Sequence, residues 1–382
     1  MKEKLKRGLC LSLIIAMALS VTACGQSNSN VKESSSNEAS KTGTHVITDH
    51  ADNKVEVPND IKRIVVCDIL PLPSVLSVFF DSAEKIVGMT EASMSAAKSG
   101  ILSDMYPEIL NASTEFMKEN KINIEELTKL NPDVVFYNTM SKELGEQLTK
   151  AGFAAVGVST NKWEYNSIET LNQWIDLLTE MFPGNNKADK VREYSKKSYN
   201  LVQERVKDIP DDQRARAFFV FAYSDTTLQT SGKKFFGQWW CDAIGAKNVA
   251  EELTNDNTTK VSMEQVYKWN PNLIYITNFT SALPEDLYNN RIGSDDWSAI
   301  DAVKNKNVVK MPLGLYRSYT PGVDTPITLL WIAKMAYPDK FQDIDITKET
   351  VDYYKDVFGV TITEEQAKKI FNTTAEAAKG FV

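Results

Sequence analysis

Leu315-Tyr-Arg-Ser-Tyr319 sets one guanidinium between two phenols. A guanidinium stays charged at any physiological pH and holds five N–H donors in one plane. With aromatic faces beside it, Arg317 suits an anionic, flat or oxygen-rich solute, and Tyr316 and Tyr319 would flank that solute. The competing role for such a residue is a surface ion pair in a loop. A second chemical pair is acidic: Glu125 and Glu264 occupy the same place in two copies of one motif, at an offset of 139 residues. With the next residue of each copy committed to capping, both carboxylates are free to point outward. Their plainer role is to complement a helix dipole, worth about 0.3 to 1 kcal/mol each.

What the chain lacks is as informative. Only His45 and His50 are present, and both are expected at the surface. A receptor for a bare transition ion normally gathers imidazole, thiolate and carboxylate, so a metal cargo would arrive already chelated and no protein metal site is expected. Oxygen-only ligation by Asp68, Glu91 or Asp225 has little support. No dinucleotide fingerprint, phosphate loop, zincin helix or nucleophile elbow occurs, and Thr230-Ser-Gly-Lys-Lys234 lacks the first glycine of a phosphate loop. The expectation is a binding protein without enzyme activity or cofactor.

The elements that must position these groups are written in the repeat. Asn123-Ile-Glu-Glu-Leu-Thr-Lys-Leu-Asn-Pro-Asp-Val-Val-Phe-Tyr137 returns as Ser262-Met-Glu-Gln-Val-Tyr-Lys-Trp-Asn-Pro-Asn-Leu-Ile-Tyr-Ile276. Each copy opens on a cap residue, with Glu126 or Gln265 three positions later able to close a capping box. Asn-Pro then ends the helix, and an apolar run follows, as in a strand covered on both faces. Two copies this far apart exceed any solenoid period and indicate two similar lobes. Further strand candidates (Arg63 to Val66, Ile86 to Gly88, Ala154 to Val158, Ala217 to Phe221, Val308 to Met311) alternate with helical patterns, the signature of an α/β layer. A helical stripe from Asn186 to Lys207, about 30 Å long, is either a strut between the lobes or a helix of the second lobe.

Lys2, Lys4, Lys6 and Arg7 precede a short apolar segment that ends in Val21-Thr-Ala-Cys24. This is a secretory signal, too short to span a membrane, and it resembles the bacterial lipoprotein signal. The resemblance implies that Cys24 becomes the lipidated (palmitate-bearing) first residue. Residues 25–44, polar and almost without apolar side chains, are expected to be a disordered tether. Removing the signal takes the net charge from −8 to about −11, which argues against nucleic acid as a partner. Cys67 and Cys241 are expected to be separate buried thiols.

Taken in order, Ile124 to Val135, Val261-Ser-Met-Glu-Gln-Val266, Trp297 to Val308, Leu330-Trp-Ile-Ala-Lys334 and Tyr337-Pro338 resemble the helical-backbone (class III) solute-binding proteins of ABC importers. The likeness runs from Val46 to about Phe371. It implies two Rossmann-like α/β lobes joined by one long backbone helix, a shallow cleft between them with little closure, and a monomer on the extracytoplasmic face of the cell membrane. The implied domains are a signal at 1–23, a tether at 24–44, lobes at 45–184 and 210–382, and the connecting helix at 185–209. It also implies that Glu125 and Glu264 dock onto arginines of the ABC permease dimer. The implied cargo is a chelated metal, a ferric siderophore first, with haem or a corrinoid as alternatives. A surface module that binds another protein, as an adhesin or regulator does, is the rival class.

Ligands of open parallel sheets sit beyond the strands' carboxyl ends. On that rule the first lobe contributes Asp68, Glu91, Met94, Asn138 and Trp163. The second contributes Tyr223, Lys233, Phe235, Trp239, Asn278, Tyr316, Arg317 and Tyr319. Of Phe235-Phe236 and Trp239-Trp240, two rings are expected to face the core.

Overall fold

The computed structural model describes residues 43–118, 121–185 and 187–381; the signal, Cys24 and residues 25–42 of the tether lie outside them. In the first lobe β1 (Ile64–Val66), β2 (Ile86–Gly88), β3 (Val134–Asn138) and β4 (Ala155–Val158) form a parallel sheet in the order β2-β1-β3-β4. In the second, β5 (Arg216–Val220), β6 (Lys247–Asn248), β7 (Leu273–Ile276) and β8 (Val308–Lys310) repeat the pattern as β6-β5-β7-β8. The register repeats too: Ile64 faces Val134 as Ala217 faces Leu273. A separate antiparallel hairpin, Thr44–Thr48 with Lys54–Pro58, precedes the first sheet.

The helices that concern the site are α1 (Glu91–Ser99), α2 (Ile124–Lys129), α3 (Ser167–Met181), α4 (Lys187–Val206), α5 (Phe236–Ile244), α6 (Met263–Trp269) and α7 (Thr325–Ala336). Strand residues alternate between two cores. Ile64, Val66, Val134 and Phe136 of one sheet and Ala217, Phe219, Leu273 and Tyr275 of the other join a single apolar cluster with Leu171 and Trp174 of α3, Val202 of α4 and Trp240 of α5. The opposite faces have their own clusters, around Val65 and Val135 in one lobe and Phe218 and Ile274 in the other. Sealing both faces of each sheet explains why the strands are nearly pure apolar runs.

The repeated motif works as a latch. Asn131 and Asn270 both adopt left-handed backbone, φ 43° and 42°, a conformation asparagine tolerates better than most residues, and so end α2 and α6. Arg63 donates from Nε and Nη2 to the carbonyl of Leu130 at 2.9 and 2.7 Å, and Arg216 donates to that of Asn270. The next polar residue reaches sideways: Asp133 Oδ2 accepts the amides of Lys62 and Arg63 at 2.7 and 2.8 Å, and Asn272 Oδ1 accepts that of Arg216 at 2.7 Å. Each copy thereby fastens the helix end to the neighbouring strand.

One cap differs from expectation. Ser262 and Gln265 form a full capping box, but Glu126 turns away from the Asn123 amide to pair with Lys129 at 2.6 Å, leaving Asn123 Oδ1 to accept from Glu125 and Glu126 N–H alone. The long helix α4 is tied at both ends: Lys187 Nζ donates to Val78 O of the first lobe at 2.9 Å, and Gln203 Nε2 to Ala243 O of the second at 2.6 Å. Cys67 and Cys241 are separate buried thiols, held well above their ordinary pKa by burial.

Candidate functional site

Helices α2 and α6 each run back along the strand that follows them, so their N-termini lie at the carboxyl edge of the sheets. That places Glu125 and Glu264 on the same edge of their lobes as the cleft loops. Both are exposed, and neither carboxylate makes a hydrogen bond or ion pair among the described residues.

The loop that carries Arg317 is built from below. Buried Asp324, just before α7, accepts Leu315 N–H at 2.9 Å and the Tyr354 hydroxyl. Burial pushes its carboxyl up to about 6, against the pull of those two donors. Gly314 O accepts Ile101 N–H of the first lobe at 3.3 Å. A side chain on Gly314 would collide with the Asp324 carboxylate, so this close approach requires glycine.

Arg317 is 0 % exposed. Its Nε donates to Asn278 O and Ala377 O, both at 3.0 Å; Nη1 to Ala92 O and the Tyr316 hydroxyl, both at 3.2 Å; and Nη2 to Lys379 O at 2.9 Å. It thus touches helix α1 of the first lobe, a strand end of the second, and the segment 375–381. The guanidinium is no surface ion-pair partner: all five acceptors are neutral, and no carboxylate lies within ion-pair distance among the described residues. Lys310, at the end of β8, is a second buried cation, with Nζ donating to Thr277 O, Thr280 O and Ala282 O at 2.8, 2.5 and 2.9 Å. Burial, and secondarily the charge of Arg317, push its pKa down to about 7. Beside them Asn278 gives both amide protons to Met311 O and Pro312 O at 3.0 and 2.7 Å, and its buried Oδ1 and the Ser318 hydroxyl find no partner among the described residues.

The remaining second-lobe candidates separate. Tyr316 is buried against the Arg317 guanidinium, and burial raises its pKa. Tyr319 is buried too, donating to Ser231 Oγ at 2.6 Å. Phe235 is half-buried in an aromatic cluster with Phe221, Phe236 and Tyr319, whereas Phe236 and Trp240 face the core and Trp239 packs edge-on against Trp240 at 4.6 Å. Lys233 is exposed. Tyr223 lies away from the seam: its ring belongs to the outer core of the second lobe, and its hydroxyl bonds Asp295 Oδ2 at 3.0 Å while accepting from Trp297 Nε1 at 2.9 Å. It follows β5, but strand Ala222–Ser224 pairs into an antiparallel ribbon that carries it off.

In the first lobe Asp68 accepts Asn138 N–H at 2.6 Å and the Ser141 hydroxyl at 2.5 Å, and burial raises its pKa. Asn138 in turn accepts Met140 N–H, so both residues organise the end of β3. Glu91 is exposed and Met94 buried on α1. Trp163 is half-buried with its ring against His50, centroids 4.9 Å apart. His50 is therefore not an open-surface residue: its Nδ1 accepts Ser159 N–H at 3.2 Å, and burial drops its pKa to about 4. Among the described residues no three His, Cys, Asp or Glu side chains cluster as a metal would need.

Sequence reasoning missed Tyr165. It and Glu164 both adopt left-handed backbone, φ 58° and 52°, which costs about 1 to 2 kcal/mol for each such residue. The strain delivers Tyr165 across the seam, its ring 5.1 and 5.0 Å from Phe235 and Phe236 and its hydroxyl 2.8 Å from Asp256 O. No glycine or asparagine marks these two positions, so nothing in the residue types announces the turn.

A family model described as periplasmic binding protein matches residues 82–313. The molybdate-binding protein MolA of Haemophilus influenzae is 28% identical over 348 residues, 85% of this chain and 93% of that protein, and its solved structure bound to molybdate superposes with a TM-score of 0.69 at 27% identity, over 84% of this chain and 99% of that one. An uncharacterized ABC transporter substrate-binding lipoprotein, YvrC of Bacillus subtilis, is 24% identical over 89% of this chain and 100% of its own length. A periplasmic solute binding protein from Veillonella parvula gives a TM-score of 0.76 at 27% identity, covering 86% of this chain and 97% of that one.

Proposed function

The chain belongs to the periplasmic binding protein family, as a substrate-binding protein of an ABC importer, and on that premise we propose that it captures an anionic, oxygen-rich solute at Arg317 in the seam between its lobes. The observation that carries this reading is a fully buried guanidinium whose acceptors are all neutral. Taking a charge out of water costs several kcal/mol. An anion would add the charge–charge attraction that the present bonds to neutral oxygens lack. The first cargo class is a compact oxyanion of the molybdate kind, favoured by the relative that binds molybdate. The second is a ferric siderophore, favoured by the aromatic wall of Phe235, Phe221, Tyr165 and Tyr319, which is joined to the cation through Phe279.

Delivery would use Glu125 and Glu264, one exposed, unpaired carboxylate per lobe, against basic residues of the permease. Lipid on Cys24 would hold the protein at the extracytoplasmic face of the membrane, in keeping with its lipoprotein relative. Calorimetric titration of ligand-stripped protein with molybdate and with ferric siderophores tests the cargo. One of them should bind with one-to-one stoichiometry, and Arg317→Gln should weaken that binding at least a hundredfold. Full affinity in the variant would remove Arg317 from the site.

A further inference from the structure

The segment Ala375–Phe381 lies across the seam and meets both lobes. Its Glu376 carbonyl accepts the Ser99 hydroxyl of α1 at 3.2 Å, and its Lys379 carbonyl accepts the Ser95 hydroxyl of the same helix. The carbonyls of Ala377 and Lys379 also take up Arg317 Nε and Nη2, at 3.0 and 2.9 Å. Phe381 lays its ring against Phe279, centroids 4.7 Å apart, with the guanidinium carbon 5.6 Å from its centre. What the segment presents to the arginine, two carbonyl oxygens and an aromatic face, is what an oxygen-rich aromatic cargo would present.

Its own hold is slight. Only the two methyl side chains of Ala377 and Ala378 are buried, and Phe381 stays 43 % exposed. A stretch with so few buried apolar contacts opens locally at low cost. Beside it a cavity of about 450 Å³, lined by Glu91, Met94, Ser95, Lys98, Glu376 and Lys379, gives room for the segment to shift.

We propose that Ala375–Phe381 is a built-in stand-in for cargo: it satisfies Arg317 in the empty protein and must leave when an anionic solute takes the guanidinium. This rests on the reading of Arg317 as the anion site. Neutral carbonyls keep the buried cation solvated between cargoes, and the charge–charge attraction of an anion, which they cannot supply, tips the exchange. Apparent affinity is lowered by the population of the blocked state, which sets a threshold for capture and favours release.

The test compares the full chain with a truncation ending at Thr374, titrated calorimetrically with sodium molybdate and with ferric citrate, folding being checked by circular dichroism. The expected result is at least tenfold tighter binding of one probe by the truncated chain, abolished by Arg317→Gln. In the full chain, hydrogen exchange over 377–381 should rise at least tenfold when that probe saturates. Equal affinity in the two chains, with the same dependence on Arg317, overturns the stand-in and leaves the site. Binding indifferent to Arg317→Gln overturns both and leaves only the importer family. No binding of either probe to the folded truncation also overturns the proposal, because a guanidinium freed in this seam must take up an anion. Should the truncation not fold, Ser95→Ala with Ser99→Ala loosens the first-lobe grip in the full chain. Tightening of about threefold supports the proposal and unchanged affinity defeats it.

Discussion

In the first lobe the carboxyl edge of the sheet is acidic and partly open, with Asp68 half-buried and Glu91 exposed; in the second the same edge holds two buried cations, Lys310 and Arg317. Yet behind these edges the lobes share strand order, register, the left-handed asparagine and the arginine that caps it. A duplicated scaffold keeps what its sheet needs and lets the strand ends diverge. Most of those side chains stand beyond the ladder of backbone bonds, and Lys310, paired with Ile276, joins it through its main chain alone, so they change at little cost to the sheet.

The comparison can be broken most sharply at the two exposed glutamates. Glu125→Ala and Glu264→Ala should each lower uptake by intact cells about tenfold, and together a hundredfold or more, with the affinity of purified protein unchanged. Unequal single effects would show that the permease reads the lobes differently, and a loss of affinity would remove the docking role.

The second test exploits the buried carboxyl of the second lobe. Asp324 has a folded pKa of about 6, above its ordinary 3.8. Its contribution to stability is therefore complete below pH 3.8 and is lost as pH rises through 6, by on the order of 3 kcal/mol in total. Asp324→Asn cannot titrate. Its melting temperature relative to the natural protein should climb between pH 4 and 6 and level off above, and a difference that does not move with pH would contradict the assignment.

The latches should rank next. Asp133 takes two amides with a charge and Asn272 takes one without. Asp133→Ala should cost about 2 to 3 kcal/mol in urea unfolding, and Asn272→Ala about 1. The smallest contrast lies in the caps: Gln265→Ala opens a closed box and should cost about 0.5 to 1 kcal/mol, whereas Glu126→Ala removes only an exposed pair with Lys129 and should cost under about 0.5. Equal losses would mean that Glu126 closes a box in solution.

Much of the scaffold was legible because periodicity and punctuation are local. Apolar runs marked strands buried on both faces, Asn-Pro marked the ends of α2 and α6, and the repeat announced two lobes. The ribbon that removes Tyr223 from the seam was not legible, since Ala222–Ser224 and Thr227–Ser231 carry no apolar alternation. Nor was the placement of His50, which looked peripheral in the chain but packs under Trp163 because the opening hairpin folds back onto β4.

By itself the sequence determined the residue types at the strand ends, the doubled helix-turn-strand unit and its outward glutamates, because caps, proline turns and apolar periods act over a few neighbours. Only the tertiary structure decided which of those residues share a surface. It buried Arg317 without a counter-charge, brought Ala92 and Lys379 to it from 225 and 62 positions away, and bent Tyr165 across the seam. Such meetings depend on how two sheets are held over a common core, and no short stretch of chain contains that information.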